Sequence, residues 1–300
     1  MAETETPTPE SVREKLAELN LHLSNDLPWQ PERMFPRLTG WGVKNELKTR
    51  VKLIERVEPE LHEMLFENEE IYFVSRGVQN SIVEAMTIGA MWANMINRTV
   101  FVLTNLRIIL AHCNRHGAIH APSWMIYYSQ IKDFKTSFTG TVTLKLKDGK
   151  KYQFSGFPKS DRKAMPALFE EAVHKYQALG FDPNCSQSRE NLCSECYTVV
   201  DKGEFECEEC GSTFWTPQEI ALRSLVFPAW GDLIMKHYPF AVFEILGYLF
   251  SWTIAGSLFA QGEIVGGLIV LSIAHGVDAA VTYFIARKGL YLKAVGVDDE

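Results

Sequence analysis

The sequence predicts a multidomain α+β membrane protein, and three observations carry that prediction. Between residues 70 and 155, short β runs alternate with turn signals. Four cysteines between 193 and 210 fall into two Cys-x-x-Cys pairs. Two apolar stretches of 23 residues lie near the end of the chain. Three hundred residues suffice for about two domains, and 46% hydrophobic content supplies material for a core. A formal charge of −7 argues against a general nucleic-acid binder, whose affinity rests on basic neutralisation of phosphates.

The opening MAETETPTPE (1–10) reads as a disordered leader, without the basic flank and apolar core of a secretory signal. From Ser11 to Leu23, Val12, Leu16, Leu19 and Leu23 share one helical stripe, and Ser11 with Glu14 forms a capping-box pattern. Prolines and glycines predict a loop before a second helix over 43–66, so residues 11–66 form a helical N-terminal segment. The second helix is expected to bury Leu47, Val51, Ile54 and Leu61 and to expose Lys44, Lys48, Arg50, Lys52 and Arg56 as a solvated face. Pro59 is where it is expected to break.

From Glu70 the pattern turns to strands: IYFVSRGV, TVFVLTNLRIILAHC and SWMIYYSQIKDFKTSF. In GTVTLKLKDGKKYQF, Val142, Leu144 and Leu146 alternate with polar residues, Asp148-Gly149 turns the chain, and Tyr152 and Phe154 resume the alternation. A helix over 160–179 ends at Gly180. Strands closed by one C-terminal helix over 67–180 resemble a pleckstrin-homology-like (PH-like) module of the bacterial, GRAM-related kind. The motifs ENEEIYFVSRGV, VFVLTNLRIIL, IYYSQIKDF and the hairpin carry the resemblance. It implies a β-barrel or sandwich capped by a helix. The stretch Asn80–Asn97 departs from that pattern, either as an extra helix or as a longer strand with a loop. No Lys/Arg cluster follows the first strand, so headgroup recognition is not expected.

After a linker over 181–192, Cys193, Cys196, Cys207 and Cys210 point two pairs of thiolates at one centre. YTVVDKGEFE between them reads as a short hairpin. The segment 193–215 resembles a zinc ribbon, which implies one structural Zn2+ in a closed tetrahedral site with no open position for catalysis. From Glu190 to Cys210 the acids are Glu190, Glu195, Asp201, Glu204, Glu206, Glu208 and Glu209, against Lys202 alone. Such a surface repels phosphate, so a basic protein is the expected partner and nucleic acid is not.

Residues 216–237 read as an amphipathic approach, and 238–286 as a two-helix transmembrane hairpin. At about 1.5 Å per residue each stretch spans a hydrocarbon core of about 30 Å. Arg223 and Lys236 precede the hairpin and Arg287, Lys288 and Lys293 follow it, while the turn Gln261-Gly262-Glu263 has no basic residue. The positive-inside tendency then places both termini, including a tail over 287–300, in the cytoplasm of a cell (inner) membrane. Gly262, Gly266, Gly267 and Gly276 would allow close helix approach.

Glu244, His275 and Asp278 are the intramembrane polar residues. Glu244 and Asp278 lie at comparable depth, and His275 and Asp278 on one face, so pairing between the helices, or within a homo-oligomer, is expected. His112, Cys113, His116 and His120 suggest a second metal site, but their turn context favours solvated histidines over ligands. Cys185 reads as a spare thiol. The function these features imply is a membrane-anchored adaptor or scaffold, not an enzyme, that binds protein at the bilayer. The alternative is an accessory subunit of a transport or proton-coupled complex that uses Glu244, His275 and Asp278.

Overall fold

The computed structural model describes residues 7–24 and 26–295. Most of the expected leader and the last residues of the expected tail therefore lie outside the described residues. Helix α1 (Pro9–Glu18) begins earlier than the periodicity indicates because Thr8 is its N-cap. The Thr8 hydroxyl accepts from Ser11 N at 3.2 Å, and Thr8 N donates to Ser11 Oγ at 2.9 Å. Ser11 thus caps backward and does not pair with Glu14. A short α2 (Pro31–Met34) precedes α3 (Val43–Met64), which continues through Pro59 without breaking. Arg50, expected on the solvated face, is buried. Its guanidinium pairs with Asp161 and donates to the Met34 carbonyl.

The described residues form a mixed α+β structure around a nine-stranded antiparallel sheet in the order β5-β6-β7-β1-β2-β3-β4-β8-β9. Its strands are β1 (Ile71–Gln79), β2 (Arg98–Thr104), β3 (Arg107–Cys113), β4 (Ile119–Tyr127), β5 (Ile131–Thr136), β6 (Val142–Leu146), β7 (Lys151–Ser155), β8 (Glu190–Leu192) and β9 (Val199–Val200). Both faces of the central strands are covered, which explains their continuous apolar runs. Val100, Val102, Ile109 and Cys113 face α3 through Val51, Ile54 and Leu61. Phe101, Leu103, Ile108 and Leu110 face α6 (Lys159–Leu179) through Met165, Leu168, Ala172 and Tyr176. Gly180, in the left-handed region at φ 61°, ends α6 as expected. The stretch expected to be a linker is not free of structure: its end is β8, paired to β4 through Ser123, Trp124 and Met125.

The departure at Asn80–Asn97 is two short helices, α4 (Ile82–Thr87) and α5 (Ala90–Ile96). Beyond β10 (Thr213–Phe214), the approach segment is α7 (Pro217–Val226) and α8 (Trp230–Ile234). Two helices long and apolar enough to cross a membrane follow, α9 (Tyr238–Ala260) and α10 (Ile264–Ala286). The expected tail contains β11 (Leu292–Ala294), which returns to pair with β10. The two outer ends of the helical hairpin therefore lie on the same side, next to the cysteine segment.

Of the four glycines expected to bring the helices together, Gly267 is the one in tight contact: a Cβ there would lie 2.2 Å from the Phe259 ring. Gly262 and Gly276 have nothing within 4 Å.

Candidate metal centre and a carboxylate cluster

Two turns of the same build hold the four cysteines. In the first, Cys193 N donates to Thr198 O at 2.9 Å. In the second, Cys207 N donates to Ser212 O at 2.8 Å. In each turn the residue after the second cysteine, Tyr197 (φ 55°) or Gly211 (φ 66°), takes the left-handed conformation that reverses the chain. The turns face each other and their four Sγ atoms lie within 4.8 Å of one another. Cys193 Sγ is 3.6 Å from Cys210 Sγ, and Cys196 Sγ is 3.5 Å from Cys207 Sγ. Thiolates at about 2.3 Å from one tetrahedral ion would be separated by about 3.8 Å, so the donors fit one metal ion, and all four cysteines are free.

Burial pushes the Cys193 and Cys196 thiols up. At Cys207 burial has the same sense, but the Thr198 hydroxyl at 3.3 Å and the Cys210 and Glu209 amides outweigh it and bring the thiol down to about 6. Cys185 stands outside this group, 3.9 Å from Ser129 Oγ, and burial raises its thiol.

The HCNRHGAIH histidines do not form a site. His112 is buried against Trp124 with ring centroids 4.8 Å apart, and neither ring nitrogen has a hydrogen-bond partner. This corrects the expectation of solvated turn histidines, which fits His116 alone. Cys113 points to the opposite face of β3.

The polar residues of the apolar helices separate. His275 lies apart from both carboxylates: its Nδ1 is 2.7 Å from Leu225 O and its Nε2 is 3.0 Å from the Tyr248 hydroxyl. Glu244 and Asp278 do come together, and Asp232 of α8 joins them, with one carboxylate oxygen of each within 4.8 Å of the others. Sequence reasoning misses Asp232 because it lies outside the apolar stretches, in the short approach segment. At an effective dielectric of about 20, each pair of charges at that spacing repels by about 3 kcal/mol.

The chain path explains the convergence. Helix α7 runs along α10, with Ser224 Oγ 3.1 Å from Thr282 Oγ1. The chain then turns at Pro228-Ala229, where Ala229 adopts φ 75°. His275 lies about 16 Å from the end of α10, and Tyr248 about 15 Å from the start of α9, both near the helix midpoints. Phe227 packs edge-on against Tyr248 at 5.8 Å. The tip of this turn thus reaches halfway down the hairpin before α8 climbs back. Its broken backbone is satisfied by side chains: Ala229 N donates to Asp278 at 3.2 Å, and Gly231 N to Ser224 Oγ at 3.0 Å.

Beside this turn, Trp92 of α5 packs at a tilt against Phe243 and Phe240, with ring centroids 4.9 and 5.4 Å away. Helices α4, α5, α7 and α8 expose Ile82, Met86, Met91, Leu222, Val226 and Trp230 around the upper ends of α9 and α10. No protein-family description matches this sequence, and no curated protein matches it either.

Proposed function

We propose that this chain is a membrane-anchored adaptor that faces the cytoplasm and binds a basic protein partner at the bilayer. The apolar belt carries the reading. The exposed side chains of α4, α5, α7 and α8 adjoin the outward faces of α9 and α10, and most of the exposed large apolar side chains lie on these six helices. Lipid is the solvent that suits them. Tyr283, with the Arg287 guanidinium over its ring at 5.6 Å, suits the interface between headgroups and acyl chains. The bases flanking the hairpin favour the cytoplasmic side for both termini.

Above the belt, the strand order β5-β6-β7-β1-β2-β3-β4 closed by α6 supports the PH-like reading of 67–180. The paired cysteine turns support a zinc ribbon. Four soft thiolates suit Zn2+, and a site with four protein ligands holds structure together without an open position for catalysis. Cys193, Cys196, Cys207 and Cys210 would hold that ion between β8-β9 and β10-β11, bracing the sheet against the hairpin.

The docking surface of this reading is a cleft of about 560 Å³ between the sheet edge and the cysteine segment, lined by Asp201, Glu204, Glu206 and Glu208. Its charge suits Lys- or Arg-rich protein and disfavours nucleic acid. A photo-crosslinking residue in place of Val199, which also lines the cleft, tests the reading in native membranes. The expected result is one discrete protein adduct, resistant to carbonate extraction and lost when Glu204, Glu206 and Glu208 become lysine. No adduct, an adduct indifferent to the charge reversal, or a chain that carbonate strips from the bilayer would overturn it.

A further inference from the structure

We propose that Asp232, Glu244 and Asp278 form a binding site for a hard divalent cation, held where the α7–α8 turn folds back beside the two apolar helices. This goes beyond the adaptor reading and rests on different residues.

Proximity of three acids alone would not carry the inference. The decisive observation is how their oxygens are used. Asp232 is fully buried, and while its Oδ1 contacts His237 Nδ1 at 2.9 Å, its Oδ2 has no hydrogen-bond partner. Glu244 Oε2 is likewise buried and unpartnered. Asp278 is 8% exposed and receives the Ala229 amide on Oδ2. A carboxylate oxygen that accepts from no donor is costly in an apolar setting, and here the two residues that carry one each lie within 4.8 Å of Asp278. A cation answers both problems, because it supplies the missing partner and offsets the mutual repulsion.

The donor set selects the cation's class. All three ligands are carboxylate oxygens, from three different helices, with no thiolate or free imidazole among them. That chemistry suits Mg2+, Ca2+ or Mn2+ over the softer ions suited to the cysteine site. A cleft of about 410 Å³ has Glu244 and Asp278 in its wall, with Thr87, Tyr248 and Ser251 among its otherwise largely apolar lining. Broken backbone beside acidic side chains within an apolar helical bundle is an arrangement in which ion sites are built.

The test uses the full chain in phosphatidylcholine nanodiscs, with the cysteine site filled by Zn2+ beforehand. Mn2+ alone is titrated to about 1 mM, the weak end of the range for oxygen-ligand sites, and free Mn2+ is followed by electron paramagnetic resonance. Empty nanodiscs provide the baseline. One Mn2+ per chain is expected to bind saturably and to be displaced by Ca2+ or Mg2+. Affinity should fall at least tenfold in Glu244→Gln and in Asp278→Asn, and should not change in Glu204→Gln/Glu206→Gln, which alters the acidic cleft. Absence of saturable binding to the unaltered chain would overturn the proposal, since the carboxylates would then be sharing protons. So would Mn2+ binding that survives both neutralisations. The titration of the unaltered chain decides the matter even if a variant does not fold.

Discussion

The ammonium of Lys288, just past the end of α10, closes an ion pair with the Glu84 carboxylate of α4 and also donates to Asn97 Oδ1 at 2.9 Å. Glu84 is the one charged side chain of the Asn80–Asn97 stretch, and it is buried. The backbone of Lys288 is held as well: its carbonyl accepts from Trp124 Nε1 at 3.0 Å and from the Arg189 guanidinium at 2.8 Å. Sheet, helical insert and apolar hairpin therefore meet at one residue. Glu84→Leu alone leaves a half-buried ammonium without its counter-charge and should cost up to about 3 kcal/mol. The double variant Glu84→Leu/Lys288→Met should recover much of that loss. Thermal unfolding of the detergent-solubilised chain, with single and double variants side by side, measures the difference.

The paired cysteine turns lead to a second expectation. Metal analysis of the purified chain should return close to one zinc, and none when all four cysteines become serine. A chelator should then lower the unfolding midpoint of the unaltered chain and leave the serine variant unmoved, because binding free energy at such a site is folding free energy. A chelator-insensitive midpoint would argue that the turns stand without an ion.

His112 gives the sheet a pH dependence. Burial, reinforced by His120, His237, Lys288 and Arg189, holds its imidazole well below the usual value of 6.5. The unfolded chain thus takes up a proton below pH 6.5 that the fold refuses. Stability complete above that pH is lost as the solution is acidified, by at most about 1.4 kcal/mol per pH unit for this one group. His112→Phe keeps a flat ring against Trp124 and removes the proton. The difference in unfolding midpoint between variant and unaltered chain should be constant above pH 6.5 and widen in the variant's favour below it.

Gly231 sits where α8 passes closest to α7 and α10. A Cβ there would lie 2.3 Å from Thr282 Cγ2 and 2.7 Å from Ser224 Oγ. Gly231→Ala should cost about 1–3 kcal/mol by overpacking, and it should expose the turn. Alkylation of a cysteine placed at Ala229, which is buried in the turn, would report that opening. Gly247→Ala, with nothing within 4 Å of the new methyl, is the matched control and should be silent in the same assay.

Features written in short-range spacing are legible in the residues themselves. The two apolar helices fall on Tyr238–Ala260 and Ile264–Ala286, matching the apolar runs, and the four cysteines converge as their pairing requires. Strands β6 and β7 follow from alternation about Asp148-Gly149, and the central strands from their apolar runs. Arg50 sits on a helix face that looks polar and therefore solvated, yet its partner Asp161 lies on a helix far away in sequence. Arg189 falls within a stretch that reads as a linker, although its guanidinium is stacked 4.0 Å over Trp124 and 4.8 Å from Tyr152. Tight local periods carry their own evidence; a charged side chain's burial depends on a partner that only folding brings near.

Taken alone, the order of residues determined where apolar length suffices for a bilayer, where four thiols could share an ion, and where strands alternate. Those properties depend on neighbours a few positions apart. Tertiary structure decided that β8 and β11 tie the cysteine segment to the rest, that α7 and α8 fold back beside the hairpin, and that Asp232 meets Glu244 and Asp278 while His275 does not. Such meetings depend on how helices pack and where a chain reverses, and a linear pattern of hydrophobicity leaves both unspecified.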